Sequence, residues 1–225
     1  MRKDPFIIGE YYHIYNRGTD KRIVFNDKWD LERFFRSMKE FNDIDSIGSI
    51  WKKDSSIEKL SPSRTQLVEF VCYCLNPNHY HFILTPLVEN GIEKFMQKLG
   101  AGYTRYFNEK YKRSGVLFQG TYKSILIKSD KYLTYVGAYI NLNYRIHKLS
   151  ARKTKLDNKK VFRKSSWGEF LGENKEKFCN KSILLDRHKN INDYKEFAES
   201  VMKGVVSKKL NDRLNLDEDL LIEKF

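Results

Sequence analysis

The chain has little cysteine, no long apolar run, a minority of acidic side chains and no nucleotide-binding loop. Each shortage removes a class of protein. Its three cysteines, Cys72, Cys74 and Cys179, are odd in number and lack a disulfide framework's spacing, which points to a reducing compartment. No apolar stretch approaches the roughly 18 residues that cross a bilayer. The charged start Met1-Arg2-Lys3-Asp4-Pro5 leads into no apolar segment of the secretory kind. A cytoplasmic location and no membrane partner are therefore expected. No glycine-rich phosphate loop or dinucleotide fingerprint is present, so no nucleotide cofactor is expected.

What the chain has in excess is positive charge. Lys and Arg number 42 against 29 Asp and Glu, for a net charge of +13. A surplus of this size suits a polyanionic partner, most often nucleic acid, although a solvated lysine-rich surface gives the same count. Aromatic residues make up 14% of the chain. That content argues against disorder and supplies faces on which unpaired bases stack.

Tyr11 to Tyr15 reads as a strand, stopped by Asn16-Arg17-Gly18. Asp27 caps a helix to about Phe41 with an apolar stripe of Trp29, Leu31, Phe34, Phe35 and Met38. Residues 43–65 are polar and read as a loop insertion. Gln66 to Leu75 and His79 to Leu87 form a hairpin about an Asn-Pro-Asn turn. A basic helix from Gly91 to about Arg113 follows, then one or two short strands within Val116 to Lys128. Ser129-Asp130 caps a further helix to about His147. Strands alternating with helices in this order predict an α+β fold, a ferredoxin-like antiparallel sheet with helices on one face. Residues 1–148 read as the catalytic domain and 149–225 as a basic, mostly helical extension.

The chemistry concentrates at His79-Tyr80-His81. Residues i and i+2 of a strand face the same side, so two imidazoles stand together. A pair alone is weak, since most such pairs only pack or face solvent. The late helix adds Tyr139 and Asn143, which share one face at i and i+4. Two imidazoles and an amide oxygen make an N,N,O set suited to Mg²⁺ or Mn²⁺ with positions left for phosphate and water. Tyr132, Tyr135 and Tyr139 also carry core-packing spacing, and Asn143 suits a helix end, so periodicity leaves both roles open. Cys72-x-Cys74 with His79-x-His81 suggests zinc superficially, but at a spacing that fits no usual finger.

The run Leu75-Asn76-Pro77-Asn78-His79-Tyr80-His81-Phe82-Ile83-Leu84 resembles the His-hydrophobe-His strand of single-tyrosine HUH transposases, most of all the REP-associated tyrosine transposases. Phe118-Gln119-Gly120-Thr121-Tyr122-Lys123-Ser124 is similar to that group's Phe-Gln-Gly-Arg-Tyr-Lys block. Tyr139-Ile140-Asn141-Leu142-Asn143 resembles its Tyr-Ile-His-Leu-Asn helix. Tyr12-His13 with Asn16-Arg17-Gly18 is similar to its first strand and turn, and Lys164-Ser165-Ser166-Trp167 to a C-terminal segment. Tyr144 stands where the family usually has Pro.

The resemblance implies that His79, His81 and Asn143 hold Mg²⁺ or Mn²⁺ and that Tyr139 is the nucleophile. It implies cleavage and rejoining of single-stranded or hairpin DNA through a 5′-phosphotyrosine, by a monomer or a homodimer. The DNA-binding residues expected from charge are Arg17, Lys94, Lys98, Arg105, Lys110, Lys112, Arg113 and Lys123; Tyr103, Tyr106 and Tyr111 could offer stacking faces, but the apolar spacing of the helix favours the core for its aromatics. The alternative is a non-catalytic nucleic-acid-binding module on a ferredoxin-like sheet, which needs neither Tyr139 nor Asn143.

Overall fold

Strand β1, Tyr12–Arg17, alternates two kinds of side chain. Tyr12 and Ile14 enter one apolar core, while His13 and Tyr15 face the other way. That alternation organises the whole molecule, whose computed structural model describes residues 5–45, 65–149, 164–173 and 177–211. Helix α1 spans Lys28–Glu40 and is capped by Asp27, whose Oδ1 accepts the Asp30 N–H at 3.0 Å. Strands β2 (Val68–Asn76) and β3 (His79–Pro86) pair antiparallel across the two residues Pro77 and Asn78. Helix α2 runs Gly91–Lys110, edge strand β4 Lys123–Leu126, and helix α3 Asp130–Leu149. Short helices α4 (Trp167–Phe170) and α5 (Ser182–Leu185) precede α6, Ile191–Asn211.

The sheet order is β2-β3-β1-β4, with every neighbouring pair antiparallel. With α1 between β1 and β2 and α2 between β3 and β4, this is the ferredoxin-like arrangement expected. The expected confinement of helices to one face does not hold. Helices α1 and α2 cover the face bearing Tyr12, Ile14, Phe70, Tyr80, Phe82 and Leu84. Helix α3 covers the other, packing Leu133, Val136, Ile140 and Leu142 with Cys72, Cys74 and Ile83. The physical reason is that β2 is apolar on both faces from Phe70 to Leu75, and all eight residues of β3 beside it are buried. An offset between Phe70 and Cys72 leaves Val71 as the extra residue of a bulge in β2. With Tyr144 after Asn143, α3 continues to Leu149.

The described part of the C-terminal segment locks α3 in place. Ser165 bridges Cys74 at the outer edge of β2, and the Leu75 N–H donates to the Lys164 carbonyl at 2.6 Å. Ser166 Oγ donates to Asn141 Oδ1 at 2.6 Å, and Asn141 Nδ2 donates to the Tyr194 hydroxyl at 2.8 Å. Tyr194 is fully buried among Trp167, Phe170 and His188. Asn141 lies between Tyr139 and Asn143 in sequence, so these bonds set the rotation of α3 and therefore the aim of the face that carries those two residues. Trp29, expected in the core stripe of α1, is 63% exposed and lies under the Lys28 ammonium instead. Of the insertion at 43–65, residues 46–64 lie outside the described residues. Among the described residues no helix is long and apolar enough to cross a membrane.

Candidate functional site

Register on the α3 face of the sheet assembles the site. Tyr15 pairs with His81 and Lys123, Cys74 pairs with His81, and Arg17 and Asn76 both pair with His79. These cross-strand partners point the same way. The rings of His79 and His81 lie 4.9 Å apart, nearly perpendicular. From above, α3 brings Tyr139 edge-on to His81 at 6.3 Å between centroids. One turn further along, Asn143 Oδ1 accepts a 2.6 Å bond from Asn76 Nδ2. The four residues His79, His81, Tyr139 and Asn143 therefore converge, and all are buried.

Two neighbours fix the imidazoles. His79 Nδ1 is 2.7 Å from Asn78 Oδ1, an acceptor only, so Nδ1 carries the proton. Nε2 then holds a lone pair, and it accepts from Asn76 Nδ2 at 2.9 Å. His81 Nδ1 is 3.0 Å from His13 Nε2, and the two rings are nearly parallel. With Nδ1 engaged by His13, His81 would meet a cation through Nε2. Orientation of a ligating ring through its second nitrogen is the usual support of a metal-binding histidine.

The donor set fits a small divalent cation on this geometry. His79 Nε2 and Asn143 Oδ1 both lie within hydrogen-bond distance of one atom, Asn76 Nδ2. Two lone pairs thus converge on one point, beside a second imidazole. The set is neutral. Among the described residues no three of His, Cys, Asp and Glu gather as a metal site. A Cys₂His₂ zinc set is therefore not formed. Both β2 thiols sit in the apolar core, where burial raises the pKa of Cys72 and pushes that of Cys74 to about 12, holding them protonated.

His13 is a site neighbour to which sequence reasoning gave no role. It is fully buried, and burial lowers its pKa from 6.5 to about 3. The native ring stays neutral while the unfolded ring takes up a proton below 6.5. Stability from this group is complete above pH 6.5 and declines as pH falls toward 3. Wild-type protein should lose about 2 kcal/mol more than a His13→Gln variant between neutrality and about pH 5. Urea unfolding at the two pH values measures this, and parallel losses would contradict it.

The basic residues expected to hold DNA divide sharply. Arg17 and Lys123 stand on the site face. Arg17 Nε donates to Gln119 Oε1, and the Lys123 ammonium lies 5.7 Å from the Tyr15 ring centroid. Lys94, Lys98, Arg105 and Lys110 are on α2, and Lys112 and Arg113 follow it, across the sheet from the imidazoles. Lys98 Nζ donates to the carbonyls of Asp43 and Asp45, and Lys110 is bonded to Asp27 and Asp30. Arg113 donates to Asn108 and the Val116 carbonyl. The aromatics of α2 take the core role their spacing favoured: Tyr103 and Tyr106 are buried beneath α1 and α2 because the apolar stripe of α2 faces the sheet. Tyr111 is half-buried and donates to Asp30 Oδ2. An open groove of about 1260 Å³ runs between α2 and β4, lined among others by Arg105, Tyr122, Lys123 and Tyr15. Tyr15 joins it to the site, because its ring also stacks on His81 at 5.7 Å.

Residues 56–143 match the family model for IS200-like transposases. The IS200-like stretch contains His79, His81 and Tyr139 and ends on Asn143, and it bears out the tyrosine-transposase resemblance of the motifs. A search of curated proteins gives no match. Among solved structures, a REP-associated tyrosine transposase bound to a REP hairpin is 11% identical, with 76% of this chain and 85% of that one covered. Its TM-score is 0.43, and a likeness that loose carries no argument.

Proposed function

We propose that the IS200-like stretch forms the active centre of a DNA transposase that cuts and rejoins single-stranded or hairpin DNA through Tyr139. The observation that supports this best is the meeting of a phenol and a carboxamide, one helical turn apart on α3, with the two imidazoles of β3. His79, His81 and Asn143 would hold Mg²⁺ or Mn²⁺. When bound, the cation would polarise a scissile phosphate and offset its charge.

Tyr139 Oη attacks the phosphorus, a new P–O bond forms, and the bond to the 3′-oxygen breaks. The phenolic proton ends, net, on the released 3′-hydroxyl. Attack by a 3′-hydroxyl of another strand reverses the exchange, so ester bonds are conserved and no nucleotide hydrolysis is required. An ordinary tyrosine, with a pKa of about 10, is phenolate in about one molecule in a thousand at neutral pH. A cation held by His79, His81 and Asn143 would raise that share. Tyr139 is 3% exposed, so the substrate must open the space between α3 and the sheet before attack. The groove along β4 offers a strand an aromatic face at the half-buried Tyr122 and positive charge at Arg105 and Lys123.

The test is an adduct assay on a denaturing gel, with full-length protein and labelled hairpin-bearing single strands from the flanks of its own gene. With Mn²⁺ a protein-linked DNA band should form. Chelation should remove it while filter binding retains most of the DNA. DNA binding without an adduct in any divalent metal would favour the non-catalytic module.

A further inference from the structure

One side chain at the site, Asn76, has no role yet although it lies in the run that carries the two imidazoles. Asn76 closes β2 and is 1% exposed. Its Nδ2 donates to His79 Nε2 at 2.9 Å and to Asn143 Oδ1 at 2.6 Å. These are the two atoms through which the proposed ligands would meet a cation, and the amide nitrogen takes both lone pairs. Asn78 fixes the tautomer of His79 that makes this possible. Asn76 Oδ1, at the other end of the amide, accepts among the described residues only a long 3.8 Å contact from the Cys74 thiol.

The geometry points to Asn76 as a further metal ligand, an amide that holds His79 and Asn143 together without the ion and turns its oxygen to the ion when it binds. The inference rests on the metal site proposed above. An amide has a donor end and an acceptor end of nearly equal shape. With no cation present, the donor end satisfies two acceptors, and the acceptor end would face two lone pairs and be repelled. With a cation between them the preference reverses, because a hard divalent ion favours oxygen. Rotation about Cβ–Cγ exchanges the two ends within the same volume, so the buried site need not expand. The bond given up, thiol to amide oxygen, is weak, and the exchanged NH₂ meets a sulfur that still accepts weakly. The prearranged pair also reduces the ordering needed when the ion binds.

Mn²⁺ titration of the full chain without DNA, followed by electron paramagnetic resonance of unbound Mn²⁺ at neutral pH, tests this independently of strand cleavage. Asn76→Leu should weaken Mn²⁺ binding by about tenfold or more, the scale of losing a supporting partner or ligand. Asn76→Asp, which keeps the shape and adds a negative oxygen, should tighten it by at least about tenfold. His79→Ala serves as the reference and should lose binding. The Asp variant keeps the test open if the Leu variant fails to fold. If His79→Ala loses Mn²⁺ while either Asn76 variant binds like wild type, the inference about Asn76 is overturned and the metal site stands. If His79→Ala binds like wild type, both are overturned.

Discussion

Tyr139→Phe should abolish the covalent protein–DNA adduct, by at least about a thousandfold in rate, the scale on which loss of a catalytic nucleophile acts. It should leave Mn²⁺ affinity and DNA affinity near wild type. The expectation is sharp because the substitution removes one oxygen and no packing. The ring stays in the second core and keeps its edge-on contact with His81. Metal binding is assigned to His79, His81 and Asn143, none of which changes. The competitor is Tyr15, whose ring stacks on His81 at 5.7 Å and is also buried. Tyr15 lies parallel to the imidazole on the sheet, whereas Tyr139 comes from the helix that also delivers Asn143. Peptide mapping of the adduct separates the two. An adduct that persists in Tyr139→Phe and maps to Tyr15 would move the nucleophile from helix to sheet, and Tyr15→Phe should leave the yield unchanged if Tyr139 is correct.

Much of this arrangement was legible in the residues. The period-two pattern of His79-Tyr80-His81 gave the shared face of the imidazoles, and the i, i+4 spacing gave that of Tyr139 and Asn143. What brings the two pairs together is tertiary, because α3 crosses a sheet face that a one-sided layout left uncovered. The signal for that cover was β2, apolar on both faces from Phe70 to Leu75 and so in need of helices on both. Asn76 could have been found. Pro77 and Asn78 form a two-residue loop, so Asn76 and His79 are cross-strand partners that share a face. His13 could not have been found from local pattern, because only the pairing of β1 with β3 places it beside His81, across 68 residues of chain. Trp29 misled by periodicity, since a large apolar residue at the start of a helix can lie flat on the surface beneath a lysine stem. The basic character of α2 is ambiguous in another way. Charge counts do not distinguish a lysine facing solvent from one holding a buried carboxylate.

Lys110 shows that distinction, and its replacement should act on stability rather than on DNA. Lys110→Met should lower folding stability by about 3 kcal/mol, the low end for breaking a buried ion pair. In a chain of this size that shifts the melting point by roughly 6–12 °C. Asp30 is fully buried on α1, and Lys110 Nζ is 2.6 Å from its Oδ1 and 2.9 Å from Asp27 Oδ2. The hydroxyls of Tyr106 and Tyr111 donate to the same carboxylate at 3.1 Å and 2.8 Å, and the Asn26 N–H donates at 2.8 Å. These donors satisfy the oxygens but do not cancel the charge, which only Lys110 opposes among the groups bonded to it. Burial of the ammonium lowers its pKa, but its bonds to Asp30 and Asp27 outweigh that and raise it overall, so Lys110 stays charged across the working range. Asp30→Asn in the Lys110→Met background removes the stranded charge and should recover most of the loss, as a double-mutant cycle would register. The salt dependence of DNA binding gives the second readout. Each phosphate contact contributes a slope of about one in log affinity against log salt. Lys123→Ala should reduce that slope by about one, and Lys110→Met should leave it unchanged. A Lys110→Met protein that melts like wild type but loses a unit of salt slope would place Lys110 on the DNA and make its contact with Asp30 incidental.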